Sequence, residues 1–183
     1  MKIQDLLENS NKRWYHGSSH NIRKFTTEFV GTGNDQFGPG IYFTDNAEDA
    51  TSYARKLGDS GYLYEVQLNY NKLLSSKNNS KVRQEELKKL IWESENFEQK
   101  LIDFDMDAES PKNGLKQFLG SAKNEASALD MMTSVAVNFY QNDMINYVSN
   151  LSALGYDACI VPRGFANFCI VYNPKIIEIV NSY

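Results

Sequence analysis

The sequence predicts an α+β fold in a single domain, and three observations carry that prediction. Residues 14–69 are punctuated by glycine and rich in aromatic and β-branched residues, residues 72–154 change to helical spacing, and three short apolar runs (DACIV, FCIVY and KIIEIV) close the chain. With 183 residues, of which 42% are hydrophobic and 23% charged, the chain is long enough and apolar enough to bury a core of ordinary size. Neither an internal repeat nor a low-complexity tail is present, so fibrous and disordered classes are excluded.

Taken in order, residues 1–13 read as a short polar helix or lead-in. GIYFT and YLYEVQL have the composition of strands, and the segment between them, DNAEDATSYARKL, places Ala50, Tyr53, Ala54 and Leu57 at helical spacing. This gives strand, helix, strand. Asp45 is expected to cap that helix with Glu48 reaching back three residues later, and the acidic Glu48 and Asp49 suit the positive end of the helix dipole. Further on, Leu87, Leu90, Ile91, Ser94, Phe97 and Leu101 form one stripe, followed by a break at SPKNG (110–114) and more helix up to Gly155. This stretch of about 72 to 154 is expected to be a helical insertion. PRG and NP turns then separate the closing strands.

Composition narrows the function. The formal net charge of -4 lacks the broad basic field of a protein that grips phosphate backbones, and the pairs Lys12-Arg13 and Arg23-Lys24 read as solvated surface. No run approaches the roughly 18–20 apolar residues of a membrane helix, and MKIQDLLENSNKRW carries charges where a secretory leader has an apolar stretch, so a cytoplasmic location and no membrane partner are expected. Cys159 and Cys169 lie in apolar runs, and no Cys/His set has metal-ligand spacing, which leaves them as buried small apolar residues with no metal expected.

Three features carry chemistry: Tyr15-His16-Gly17-Ser18; Gly38-Pro39-Gly40-Ile41-Tyr42-Phe43 followed by the helix bearing Tyr53; and the late run Asn167-Phe168-Cys169-Ile170-Val171-Tyr172. Their order and spacing resemble the ADP-ribosyltransferase superfamily, in the branch of diphtheria toxin and the poly(ADP-ribose) polymerases. That branch has a His-Gly-Ser/Thr strand, a GxGIYF strand with a second tyrosine eleven residues on, and a late strand bearing a glutamate; Tyr42 and Tyr53 show the spacing. WYHGSSHNIRKF, FGPGIYFTDNAEDATSYA and LGYDACIV with VYNPKI are most similar to the small ADP-ribosyltransferase domains of phage polyvalent proteins and bacterial toxins. Matches run from Trp14 to about Tyr70 and from Leu154 to Val180, leaving the helical middle uncovered.

The resemblance implies a split antiparallel sheet and NAD as substrate, with no metal. It implies that Gly17 meets the nicotinamide carboxamide through its backbone, that Tyr42 and Tyr53 sandwich the ring, that His16 bonds the adenosine ribose, and that Ser18 reaches that ribose or the carboxamide. Where the polymerases place a serine for the carboxamide this chain has Ala50, and where the late strand carries the catalytic glutamate it has Phe168. A phenylalanine neither binds a hydroxyl nor offsets the positive charge of an oxocarbenium-like ribose. A slip by one residue restores no acid, since Asn167 and Cys169 flank it. Asp157, Glu48 and Asp49 are the acids that stand in its place if the site lies beside them, although Asp157 also reads as a turn residue and Glu48 as a capping partner.

Two readings follow. One is a mono-ADP-ribosyltransferase with His16, Tyr42 and position 168 in the reaction, acting as a phage effector or a bacterial toxin or defence protein. Its acceptor is a macromolecule, with protein favoured by the acidic surface and nucleic acid open, and an antitoxin or host target is a further partner. In this reading the helical insertion is a candidate acceptor platform. The other is a silent NAD- or ADP-ribose-binding module, supported by Phe168. The related RNA 2′-phosphotransferases are disfavoured, because they carry a second histidine in place of Tyr42 and a basic RNA surface. His20 reads as a loop residue, and the Leu87–Leu101 stripe as core or partner interface.

Overall fold

In a computed structural model, which describes residues 12–32, 36–56, 61–104 and 109–183, the chain forms one seven-stranded sheet and six α-helices among the described residues. In chain order the elements are β1 (Trp14–Ser18), β2 (Ile41–Thr44), α1 (Ala47–Lys56), β3 (Tyr62–Leu68), β4 (Leu73–Leu74), α2 (Gln84–Trp92), α3 (Phe97–Asp103), α4 (Pro111–Ala122), α5 (Ala128–Phe139), α6 (Met144–Ala153), β5 (Ala158–Arg163), β6 (Ala166–Val171) and β7 (Ile177–Ser182). The α+β expectation is borne out, and the strands stand where the aromatic and β-branched runs placed them. The expected lead-in helix at 1–13 falls almost wholly outside the described residues.

The sheet order is β4-β5-β6-β2-β1-β3-β7, antiparallel except for the parallel β4–β5 pair. Its two middle strands barely meet: β1 and β2 share only the Tyr15–Thr44 register pair, whereas β1 pairs with β3 along five positions and β2 with β6 along four. The sheet is therefore split beyond Tyr15, and Gly17 and Tyr42 face each other across the split. Helix α1 packs on β1 so closely that a Cβ on Gly17 would lie 2.0 Å from the Ala50 carbonyl oxygen. Ala50 and Ala54 are the buried face of that helix, while Tyr53 is half exposed and stands outside the stripe the spacing suggested. The cap also differs from the expectation. Asn46, not Asp45, accepts the N–H groups of Glu48 and Asp49, because the Asp45 carboxylate is drawn across the sheet to Asn167.

The helical segment ends one helix at Asp103 and begins the next at Pro111, beside the expected break, and it is interrupted at a second place as well. The Leu87–Leu101 stripe is divided between α2 and α3 by a turn in which Asn96 takes a left-handed conformation (φ 54°). SPKNG, expected as a break, opens α4, with Ser110 capping Asn113 and Pro111 in the first turn, where a missing N–H costs nothing. Helix α5 buries seven of its twelve residues, from Ala128 to Phe139, and its side chains belong to the same contiguous core as Trp14, Phe43, Val66 and Cys169 of the sheet. Thr133 and Met144 lie against Gly38 and Gly31, so α5 and α6 also support the glycine-rich loop before β2. A clamp at Glu86 joins α2 to the sheet edge: it takes Lys72, Arg83 and the Tyr156 hydroxyl.

Two glycines of α4 allow a direct check. A Cβ on buried Gly114 would fall 1.8 Å from the Leu101 carbonyl oxygen, so Gly114→Ala must push α3 and α4 apart at a cost of about 1–3 kcal/mol. Exposed Gly120 has open space around it, and Gly120→Ala should stabilise by about 0.5–1 kcal/mol through helix propensity. Urea denaturation of the two variants should give shifts of opposite sign.

Candidate active site

Alternation along the strands sorts the site residues by face. Tyr15 pairs with Thr44, and Thr44 with Phe168, so these three form a row across β1, β2 and β6; Tyr42 lies on the same face two positions along β2. His16 and Ser18 point to the other face, toward Phe43 and Tyr64. Gly17 lies at the split with its missing side chain filled by α1, which leaves its backbone edge turned toward the gap between the two strands.

His16 is boxed by aromatic rings: Phe25 at 5.1 Å edge-on, Phe43 at 5.5 Å and Tyr64 at 6.5 Å between centroids. Its Nδ1 lies 2.8 Å from the Tyr42 carbonyl oxygen. A carbonyl only accepts, so Nδ1 carries the proton and Nε2 the lone pair. Burial lowers the pKa of His16, opposed by that hydrogen bond, and the ring is held neutral below its ordinary range. A neutral imidazole with Nδ1–H committed is a hydroxyl acceptor at Nε2. Phe25 is a site residue that sequence spacing did not single out; it reaches His16 through a loop and no periodicity marks it.

Tyr42 is fixed at its far end. Its hydroxyl donates to the Gly38 carbonyl at 2.6 Å and accepts the Phe37 N–H at 2.9 Å, which ties the glycine-rich loop to β2. Gly38 takes φ 89°, a conformation that favours glycine. Ser18 is buried and its Oγ accepts the His20 N–H at 3.0 Å, so this hydroxyl shapes the following turn; His20 itself is an exposed loop residue.

Phe168 packs beside Phe37, with 6.1 Å between centroids, and the Arg163 guanidinium lies 5.9 Å from each ring while donating to Gln36 at 2.7 Å. The position thus has two apolar rings and a cation, the reverse of what a carboxylate would supply. Next to it, Asp45 receives the backbone and side-chain N–H groups of Asn167 at 2.7 and 2.5 Å and the Lys12 ammonium at 2.9 Å. Partial burial pushes the Asp45 carboxyl up, but these donors outweigh it and hold the group below its ordinary value. Of the basic pairs, Lys12 and Arg13 are tied to Asp45 and Glu65, while Arg23 and Lys24 are exposed.

Asp157 is not a stand-in for the acid. It sits beside Tyr172, just past the end of β6 and four residues on from Phe168, so about 13 Å away, and its carboxylate accepts from Asn71, Lys72 and Asn173. It is a buried clasp. Cys159 and Cys169 are buried and unbridged, with burial pushing both thiols up, Cys159 to about 12. Among the described residues no group of His, Cys, Asp and Glu is arranged to hold a metal ion, and no helix is long and apolar enough to cross a membrane.

A split mixed sheet with a histidine-glycine strand on one side of the gap and a Gly-Ile-Tyr-Phe strand on the other defines an ADP-ribosyltransferase fold. The sequence model of the family described as "ADP-ribosyltransferase in polyvalent proteins" matches residues 9–180, and the chain belongs to that family. No curated protein and no solved structure matches the chain.

The His16 environment makes a prediction for stability. The folded ring resists protonation while the unfolded one takes a proton near pH 6.5, so the unfolded state gains protons first as pH falls. The contribution is whole above the unfolded pKa and is lost on acidification below it. Melting temperatures taken from about pH 7.5 to about pH 5.5 should fall more steeply for the native chain than for His16→Asn.

Proposed function

We propose that this protein is an NAD-dependent mono-ADP-ribosyltransferase that transfers ADP-ribose to a macromolecular acceptor, with protein favoured over nucleic acid, as a phage effector or a bacterial toxin or defence protein acting in the cytoplasm. The observation that carries this reading is the split at the centre of the sheet, bridged by a neutral His16. The nicotinamide enters the split, where the Gly17 backbone supplies an N–H and a C=O for its carboxamide. Tyr42 and Tyr53 provide the aromatic walls, and a half-exposed Tyr53 ring is available for such stacking. His16 Nε2 accepts from an adenosine ribose hydroxyl. Ser18 assists the turn that follows, and Ala50, buried on Gly17, offers no hydroxyl to the carboxamide.

Glycosidic cleavage builds positive charge on the ribose. Phe168 does not stabilise that charge, and it cannot activate a ribose hydroxyl for a second addition, so polymer growth is not expected. The same residue favours a second reading: NAD binding without turnover, in a module that reuses the fold. Packing of Phe168 on Phe37 under Arg163 is the specific support for it.

Labelled NAD incubated with the purified chain and a cell lysate, in protease-treated and nuclease-treated arms, distinguishes the two. Transfer predicts nicotinamide release and label that vanishes with protease. His16→Ala and Tyr53→Ala should each lower release by at least about tenfold with folding intact, and Phe168→Glu should raise it by at least about tenfold. If NAD raises the melting temperature while no nicotinamide is released, the silent-module reading holds. Undiminished release in both His16→Ala and Tyr53→Ala overturns the site.

A further inference from the structure

Two rings of the box around His16 come from the strands on either side of β1: Phe43 from β2, and Tyr64 from β3, where it stands directly opposite His16 in the register. The third, Phe25, comes from the stretch 19–25, which forms neither helix nor strand. Phe25 is nonetheless buried, edge-on to His16 and to Phe43 at 5.1 Å and to Tyr64 at 5.7 Å between centroids. The Tyr64 hydroxyl is what ties this stretch to β3. It accepts the Ile22 N–H at 2.5 Å and donates to the His20 carbonyl at 3.3 Å, gripping the turn 20–22 at both ends. Tyr64 is only 1% exposed, and a buried hydroxyl needs partners; these two backbone groups supply them. A phenylalanine ring would pack against His16, Phe25 and Tyr62 equally well. The hydroxyl therefore serves the turn and not the packing of the strand.

We propose that Tyr64 is a positioning residue for His16: its hydroxyl clasps the turn after β1 and so lays Phe25 across the imidazole; this rests on the reading above of His16 Nε2 as the acceptor of a ribose hydroxyl. The Tyr42 carbonyl holds Nδ1–H, and Phe25 keeps water from the ring, so that Nε2 retains its lone pair. Released from Tyr64, the turn carries Phe25 away, and the hydrated ring takes a proton at Nε2, which then no longer accepts. The titratable group packed on the imidazole is the Tyr64 phenol of β3, backed by Tyr62, while Phe43 of β2 and Phe25 of the turn are uncharged. Neither a carboxylate nor an ammonium governs the His16 titration, whose causes are burial and the Tyr42 carbonyl.

The chain holds two histidines, so proton NMR of the full chain follows both, with exposed His20, bonded to Ser19, as internal reference. In Tyr64→Phe the His16 pKa should rise by about 0.5 or more toward its ordinary value while His20 holds. Phe25→Leu should raise it similarly, and the double variant should add nothing further, as expected when one residue acts through the other. An unmoved His16 titration in Tyr64→Phe, or full additivity in the double variant, overturns the proposal; if Tyr64→Phe does not fold, an unmoved titration in Phe25→Leu overturns it. A second arm titrates NAD by calorimetry at about pH 7.5 and about pH 5.5. The loss of affinity on acidification should be about threefold larger in Tyr64→Phe than in the native chain. A raised His16 pKa with an unaltered NAD profile supports the clasp and counts against His16 as the ribose acceptor.

Discussion

One hydrogen bond, from His16 Nδ1–H to the Tyr42 carbonyl, spans the place where the two middle strands of the sheet part. A backbone carbonyl left at the split without a strand partner would need another donor. The imidazole supplies it, and in doing so its tautomer is set: the proton is on Nδ1 and the acceptor is Nε2. The aromatic box of Phe25, Phe43 and Tyr64 lowers the cost of keeping the ring in place and raises the cost of charging it. A gap in the sheet, a fixed acceptor and an open backbone edge thus arise from one local arrangement.

The neighbourhood of Phe168 follows a different logic. Asp45 and Asn167 lock β6 to the end of β2 with three hydrogen bonds, so position 168 is held firmly whatever its side chain. The rigidity is that of a site, while the chemistry of the side chain is that of a core. Negative charge lies instead at the head of α1, where Glu48 shares a cleft with Tyr15 and Phe165. The helical segment shares the sheet's core. Its α5 residues are part of the sheet's core, and Thr133 and Met144 brace the loop that Tyr42 holds at Gly38 and Phe37.

Much of this was legible in the sequence. Aromatic and β-branched composition marked β2 and β3, and short apolar runs between turn residues marked the closing strands. Ala50 and Ala54 marked the packed face of α1. The two-residue β4 left no pattern, since so short a strand is defined by its partner β5 alone. The Asp45 cap failed for a similar reason: the competing donors, Asn167 and Lys12, come from β6 and from the chain before β1, and local spacing holds no trace of them. SPKNG holds the break only at Ser110, because Ser-Pro both ends one segment and opens the next helix.

The sequence by itself determined the α+β class, the position of the glycine-rich site, the paired tyrosines and the apolar residue at 168, since each is a matter of residue type and local spacing. Tertiary structure alone decided that the sheet splits beyond Tyr15, that His16 stays neutral with its acceptor nitrogen uncommitted to Tyr42, that Asp157 is a clasp and that Tyr15, Glu48 and Phe165 share a cleft. These depend on strand register and on the burial of groups far apart in the chain. Electrostatics and hydrogen bonding act through space, over distances that sequence separation does not encode.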